Sequence, residues 1–473
     1  MSVQTWEQTF ESYAQDLIDE MKVPGAFVAV ARDGQLIYEK GFGYRDREAK
    51  IPADLDTVFG IGSITKSFTC VAIMQLQEQG KLSVHDPVIR YLPEFRTPDE
   101  EHTRQVTIHH FMTHTPGLPP LSSLIPATQR SMEDDPAAEE LLKHPEFAGK
   151  EPIDTFEQLM AYIGEQPIEL LGPPGTEFSY SNDAYALLGT IIERVAGQTY
   201  ESYVQERILQ PLGMNRSVFF VEELGDDNHS TLYAAKDKDG VKEVYRAPLW
   251  WDSPTMRAAG FLKASAKDML RYAELFRTGG TSGAVRILSE ESVKQMVSPH
   301  AKVDAIRGYG YGLGIIPFAE GVTLIQHTGG LKGITAQMLI LPEAGLTGIV
   351  LTNIGDAPIS ELTLGLLNNL FSRPPGTQYA SFADYEIPIA QIKEYEGTFK
   401  SGEGDEVQIR TDQDAVQLLL GMGSESLPLR PIGKDEFLFT RRGVDTLVRF
   451  VRNQSGEIKR FALGSRQLPK VEA

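Results

Sequence analysis

The sequence predicts an α+β fold: an antiparallel sheet flanked by helices, with a helical subdomain, followed by a small antiparallel β-barrel. Three observations carry that expectation. Strand patterns stand at both ends of residues 1–373, helical periodicity fills the middle, and the last stretch turns to short alternating strands.

Taken in order, Trp6, Phe10, Tyr13, Leu17 and Met21 recur at helical spacing and predict a surface helix with one stripe toward the core. Val23-Pro24-Gly25 stops it. AFVAVARDGQLIYEKGFGY alternates around Asp33-Gly34, the strongest short hairpin signal. Helices then dominate: SITKSFTCVAIMQLQEQ ending at Gly80, TIHHFMTH, DAYALLGTIIERVA ending at Gly197, and QTYESYVQERIL. The stretch from Pro119 to Pro173, rich in proline and acidic residues, reads as an insertion over this helical region. Strand patterns return beyond Arg257 in GYGYGLGIIPF, VTLIQHT and TAQMLILPEAGLTGIVLTN, the last turning at Glu343-Ala344-Gly345. ISELTLGLLNNLF closes the unit as a helix. Strands so far apart in the chain predict one sheet assembled from distant segments.

Residues 374–388, within RPPGTQYASFADYEIP, replace apolar periodicity with Pro, Gly and small polar residues and read as a linker. Residues 389–473 then read as a barrel. After YEGTF come EVQIR, AVQLLL, EFLFT, TLVRFVR and EIKRFALG, separated by Gly, Asp, Asn and Ser turns.

Composition narrows function. A formal charge of −20 with no dense Lys/Arg run argues against a nucleic-acid partner. The single cysteine, Cys70, excludes an intramolecular disulfide framework and reads as a small buried hydrophobe. The N-terminus has no basic-then-apolar leader, and no long apolar run predicts a membrane span, so the expectation is a cytoplasmic protein. His109-His110 lack metal spacing and a third ligand, so no metal and no cofactor are expected.

Ser63-Ile-Thr-Lys66 is the one Ser-x-x-Lys in the chain. The strand-like TVFGIG delivers Ser63 to a helix N-terminus, where backbone N–H groups favour developing negative charge. One turn brings Lys66 alongside. Lys66 can accept a proton only if burial or a cationic neighbour lowers its pKa. On these residues alone, the favoured reading is Ser63 as a helix N-cap and Lys66 as a solvated charge. Tyr180-Ser181-Asn182 stands directly before another helical run, with Asn182 a candidate N-cap. His327-Thr328-Gly329-Gly330 ends an edge strand in glycines that permit close backbone approach to a substrate. His114 is assigned to packing or hydrogen bonding, and Trp250-Trp251 to the cleft rim or the core.

Together, Ser-x-x-Lys, Tyr-x-Asn and His-Thr-Gly, in that order, resemble the penicillin-recognising serine hydrolases, in particular the branch of class C β-lactamases, D-stereospecific peptidases and β-lactamase-like esterases. LSVHDPVIRYLPEF, FMTHTPGLP, PPGTEFSYSND, RILQPLGM and RAAGFLKASAKDM extend the likeness from about residue 8 to about residue 371. The C-terminal region resembles the lipocalin-like barrel appended to such hydrolases. The resemblance implies Ser63 as acylated nucleophile, Lys66 and Tyr180 sharing its proton, and Asn182 orienting Lys66 and the substrate amide. It implies Ser63 and Gly330 N–H groups as oxyanion hole, Thr328 and Gly329 beside them as substrate-binding residues, and His327 as a further catalytic residue lining, with Thr328, the opposite wall. His327 stands where many relatives carry Lys, which turns the expectation from β-lactams toward small peptide, amide or ester substrates, with a homo-oligomer left open. The alternative is a penicillin-binding or ligand-sensing protein that acylates without efficient turnover.

Overall fold

Asp33 and Gly34 both hold positive φ, 50° and 76°, the turn that matches strand twist, so Gly25–Arg32 and Gln35–Gly43 pair as the predicted hairpin. The computed structural model describes residues 5–144, 147–238, 241–318, 321–374, 376–412, 417–423 and 425–471. Among these, the hairpin forms one edge of an eight-stranded antiparallel sheet. Across it follow Leu346–Thr352, Ile334–Leu341, Thr323–Leu331, Gly314–Pro317, Gly308–Tyr309 and Ala301–Lys302.

Alternation assigns the two faces. Ala26, Val28 and Val30 pack with helices Trp6–Glu20 and Ile359–Leu370, whereas Phe27, Ala29 and Ala31 pack into the larger core with Thr65–Glu78 and Ala266–Arg277. Both faces being covered, Ile334–Leu341 and Leu346–Thr352 are buried throughout, and their near-continuous apolar runs follow. Ala266–Arg277 is a helix that the sequence reading passed over. The first helix buries Phe10, Ala14 and Ile18, with Trp6, Leu17 and Met21 of the expected stripe half-buried against the same core and Tyr13 outside it. Small Ala14 allows close approach, and Tyr13 lies at the margin, its hydroxyl donating to Glu361 O.

The helical region follows the expected segments with altered ends. Ser63 lies in a single 3-10 turn, Gly62–Ile64, and the α-helix proper is Thr65–Glu78. Asn182–Ala196 is capped by Ser181, whose hydroxyl accepts from Ala184 N–H, and closes at the left-handed Gly197. The N-cap is therefore Ser181 and not Asn182, because the shorter serine side chain reaches back to the helix amide. QTYESYVQERIL becomes Tyr200–Val204 continued by a π-turn, Gln205–Leu209.

At the C-terminal end, eight antiparallel strands run in sequence order, and Phe399 bridges back to Lys470, so the barrel is nearly closed. Phe399, Phe437, Phe450 and Phe461 pack against one another within it. Glu425–Gly433 and Arg466–Pro469 are additional strands. The first was hidden by Pro428 and Pro431, tolerated because this strand pairs with Leu418–Met422 through Leu429 and with Glu436–Arg441 from Arg430 onward. The expected strand AVQLLL begins outside the described residues and is seen from Leu418.

Candidate active site

Gly62 carries φ 51°, and its Cβ position lies 2.6 Å from Gly330 N; a Cβ on Gly329 would sit 1.9 Å from Ile61 O. The Ser63 turn and the Gly329-Gly330 strand are thus in backbone contact, an approach that only glycine permits. A Cβ on Gly330 would meet nothing within 4 Å. The close approach foreseen for a substrate is made at Gly329 by the protein itself, and Gly330 lines the cleft. Thr323–Leu331 is no edge strand along its whole length. Its partner Gly314–Pro317 pairs only as far as Gln326, so His327 onward is free on that side.

Lys66 is fully buried. Its Nζ lies 3.1 Å from Ser63 Oγ, 2.8 Å from Asn182 Oδ1 and 2.6 Å from Ala259 O. The Asn182 amide is oriented by its Nδ2, which donates to Glu403 Oε1 at 3.4 Å, so Oδ1 faces the lysine. Ala259 O and Asn182 Oδ1 can only accept. In its neutral form Lys66 would spend two N–H bonds on them and turn its lone pair to Ser63, whereas as an ammonium it would donate to all three. Burial, assisted by the Arg466 guanidinium, pushes the Lys66 pKa well below that of an ordinary lysine, against the opposing pull of Glu403, Cys70 and Asp183.

Tyr180 lies with its ring centroid 4.8 Å from Lys66 Nζ and stacks on His114 at 4.1 Å. Burial pushes its phenol up, only partly offset by a hydrogen bond with Ser63 and by Arg466. Tyr180 is accordingly a neutral phenol, not the phenolate that a cationic Lys66 would stabilise.

His327 is buried and neutral: burial, with Lys66 nearby, lowers its pKa to about 3. Its Nε2 lies 3.1 Å from Tyr309 Oη and its Nδ1 2.7 Å from Thr328 O. The Thr328 hydroxyl donates to Gln337 Oε1 at 2.5 Å. Cys70 is buried, its thiol pushed up to about 12, as suits a packing residue. Trp251 is buried and donates to Asp135 Oδ2 at 2.9 Å, while Trp250 approaches Gly60. Neither belongs to the cleft wall.

The sequence reading missed the contribution of the barrel. The turn before Arg466–Pro469 reaches into the cleft, where Tyr180 N–H donates to Ser465 O at 2.8 Å. Arg466 stands 4.8 Å from the Tyr180 ring centroid and pairs closely with Glu403. The resulting cleft, about 390 Å³, is lined by Ser63, Tyr180, Asn182, His327, Thr328 and Gly330 together with Leu124 from the Pro119–Pro173 insertion, Arg307 and Arg466. Arg466 follows an ordinary Gly-Ser turn, so no local pattern marked it.

Sheet, helices, the Ser63–Lys66 turn, the Tyr180 loop and the His327 strand define the class of active-site-serine proteins to which the penicillin-binding proteins belong. The chain is a member of the Beta-lactamase family, whose model matches residues 10–363. Penicillin-binding protein 4 of Amycolatopsis lactamdurans is 28% identical over 358 residues, 74% of this chain and 85% of that protein. The octameric penicillin-binding protein homologue from Pyrococcus abyssi is 30% identical with a TM-score of 0.67, over 97% of this chain and 98% of that one, a likeness that takes in the barrel. A D-stereospecific amidohydrolase from Streptomyces sp., 23% identical over 76% of this chain and 97% of that one, shares the fold with a TM-score of 0.59.

Proposed function

We propose that the protein is a serine hydrolase that forms an acyl-enzyme on Ser63 from small peptide, amide or ester substrates and releases the acyl group to water. The observation that carries this reading is the set of Lys66 contacts: among the described residues, the hydroxyl within hydrogen-bond reach of its Nζ is that of Ser63, so in its neutral form Lys66 can accept from Ser63 Oγ–H. Lys66 takes that proton as Oγ bonds to the carbonyl carbon. The oxyanion is held by the Ser63 and Gly330 N–H groups, and the Tyr180 phenol passes a proton to the departing nitrogen or oxygen as its bond to carbon breaks. Water then repeats the sequence in reverse roles and frees Ser63.

With His327 neutral, the guanidinium groups lining the cleft are Arg466, paired with Glu403, and Arg307, paired with Asp304, and Arg466, nearer Tyr180, supports substrates bearing a carboxylate near the scissile bond. In this reading residues 1–373 carry the chemistry, 374–388 tether, and 389–473 supply one wall of the site. The octameric relative supports a homo-oligomer. Among the described residues no helix is long and apolar enough to cross a membrane.

Stopped-flow hydrolysis of p-nitrophenyl acetate, followed by a panel of D- and L-peptides, tests the reading. A burst and a steady state, both abolished in Ser63→Ala, are expected. One equivalent of product with no further turnover on any substrate would leave an acylating sensor instead.

A further inference from the structure

His114, Tyr309 and His327 form a hydrogen-bonded chain whose two ends are fixed by backbone groups. Ser181 N–H donates to His114 Nδ1 at 3.0 Å. An amide N–H cannot accept, so Nδ1 carries the lone pair and the one ring proton of His114 is on Nε2. That Nε2 lies 3.2 Å from Tyr309 Oη. At the other end His327 Nδ1 faces Thr328 O at 2.7 Å, and a carbonyl cannot donate, so His327 Nδ1 carries a proton. Between them Tyr309 Oη is 3.1 Å from His327 Nε2. With His327 neutral, one arrangement satisfies these links: His114 Nε2–H donates to Tyr309, the Tyr309 hydroxyl, which also has a hydrogen bond with Tyr185, donates to His327 Nε2, and His327 Nδ1–H donates to Thr328 O. A second proton on His327 would aim its Nε2–H and that of His114 at the same phenol oxygen.

We propose that His114 and Tyr309 are positioning residues that lock His327 as a neutral, Nδ1-protonated imidazole, so that the wall facing Ser63 neither carries charge nor exchanges protons with substrate. The proposal rests on the hydrolase reading for its consequence and on the hydrogen-bond directions for its content. His114 has a second contact with the chemistry, its ring being stacked on Tyr180, and it holds φ 56°, a conformation uncommon for a residue with a side chain. All three residues are buried. Around His327, burial and Lys66 from the Ser63 helix lower its proton affinity and the Thr328 carbonyl raises it, while Tyr180 from its loop, Tyr309 and His114 present rings and Arg466 lines the same cleft from the barrel. None is a carboxylate that would stabilise an imidazolium. The step that protonates a leaving group is thereby confined to Tyr180 and Lys66, and the family position that holds lysine in many relatives becomes an inert hydrogen-bonded wall.

The test is nitrogen NMR of the full-length protein labelled with [15N]histidine, with His327 assigned by comparison with His327→Gln. The expected spectrum has Nδ1 protonated and Nε2 in the unprotonated range, unchanged between about pH 5 and about pH 8. An Nε2–H tautomer, or titration in that interval, overturns the proposal. Tyr309→Phe removes the donor to Nε2. His327 is expected to stay neutral, since burial and Lys66 remain, but its Nε2 resonance to move downfield with loss of the hydrogen bond and kcat/KM to fall as the ring is no longer held. His114→Gln keeps an acceptor for Ser181 and a donor for Tyr309, and is expected to preserve the Nδ1-protonated spectrum of His327, separating proton direction from loss of packing; an Nε2–H signal in this variant would overturn the part assigned to His114. An Nε2 resonance unchanged in Tyr309→Phe would overturn the positioning role. The spectra need no turnover, so their outcome is independent of the Ser63→Ala experiment that tests hydrolysis.

Discussion

Tyr180 N–H donates to Ser465 O at 2.8 Å, and this one backbone bond joins the loop beside the nucleophile to the turn of the C-terminal barrel. Next in the chain, Arg466 comes within 4.8 Å of the Tyr180 ring centroid. The barrel is therefore part of the site, and its guanidinium acts on two things: the charge a substrate meets and the basicity of Lys66.

Arg466 lowers the pKa of Lys66, and Glu403 raises it. Removing the guanidinium leaves Glu403 unbalanced, so the Lys66 pKa rises in Arg466→Ala. The acid limb of kcat/KM, which reports protonation of the free enzyme's base, then moves to higher pH. KM for acyl donors with a free carboxylate is expected to rise by about tenfold or more, with little change for the corresponding methyl esters. Equal effects on both would refute carboxylate recognition by Arg466.

Lys66→Ala and Tyr180→Phe separate the two proton carriers. Loss of the aimed amine is expected to lower kcat by about 10²–10⁴, the usual range for a positioned base. Tyr180→Phe keeps the ring stacked on His114 and loses only the hydroxyl at Ser63, so kcat falls while Tm is nearly unchanged. Near-normal turnover in either variant would remove that residue from the proton path.

The two glycines of the cleft strand should behave differently. Gly329→Ala puts a methyl against Ile61 O and is expected to destabilise the protein by about 1–3 kcal/mol, measurable as a shifted urea midpoint. Gly330→Ala points into open space, so folding is kept and substrate binding suffers. A fully stable Gly329→Ala protein would contradict the backbone contact.

Asp183 is buried beside Asn182, accepts from the Ser123 hydroxyl, and has its pKa raised to about 7 by burial. The folded form holds this proton more tightly than the unfolded chain. Its stabilising contribution is complete below the unfolded carboxylate pKa and is lost as pH rises through about 7. Asp183→Asn, which can still accept from Ser123, is therefore expected to gain stability over the wild type above that pH and to lose the advantage below about pH 4, where both forms are neutral. Urea unfolding at several pH values measures the crossover, and a pH-independent difference would contradict the buried-carboxyl assignment.

The sequence by itself determined what depends on neighbours along the chain. Ser63 and Lys66 meet at 3.1 Å because they are one turn apart, the hairpin turns at Asp33-Gly34 because both positions need positive φ, and glycines mark the strand that touches the Ser63 turn. The distinction between Ser181 and Asn182 as cap was not legible, since either residue type serves that position. What only the tertiary structure decided are charge states and long-range partners. Asn182 reaches Lys66 across 116 residues and Glu403 across 221, and Arg466 enters the site from a turn with no local signature. Proton affinity responds to desolvation and to every charge within a few ångströms, whichever segment delivers it. The downward shifts of Lys66 and His327 and the upward shift of Tyr180 therefore became readable only once the barrel, the helices and the sheet had closed around them.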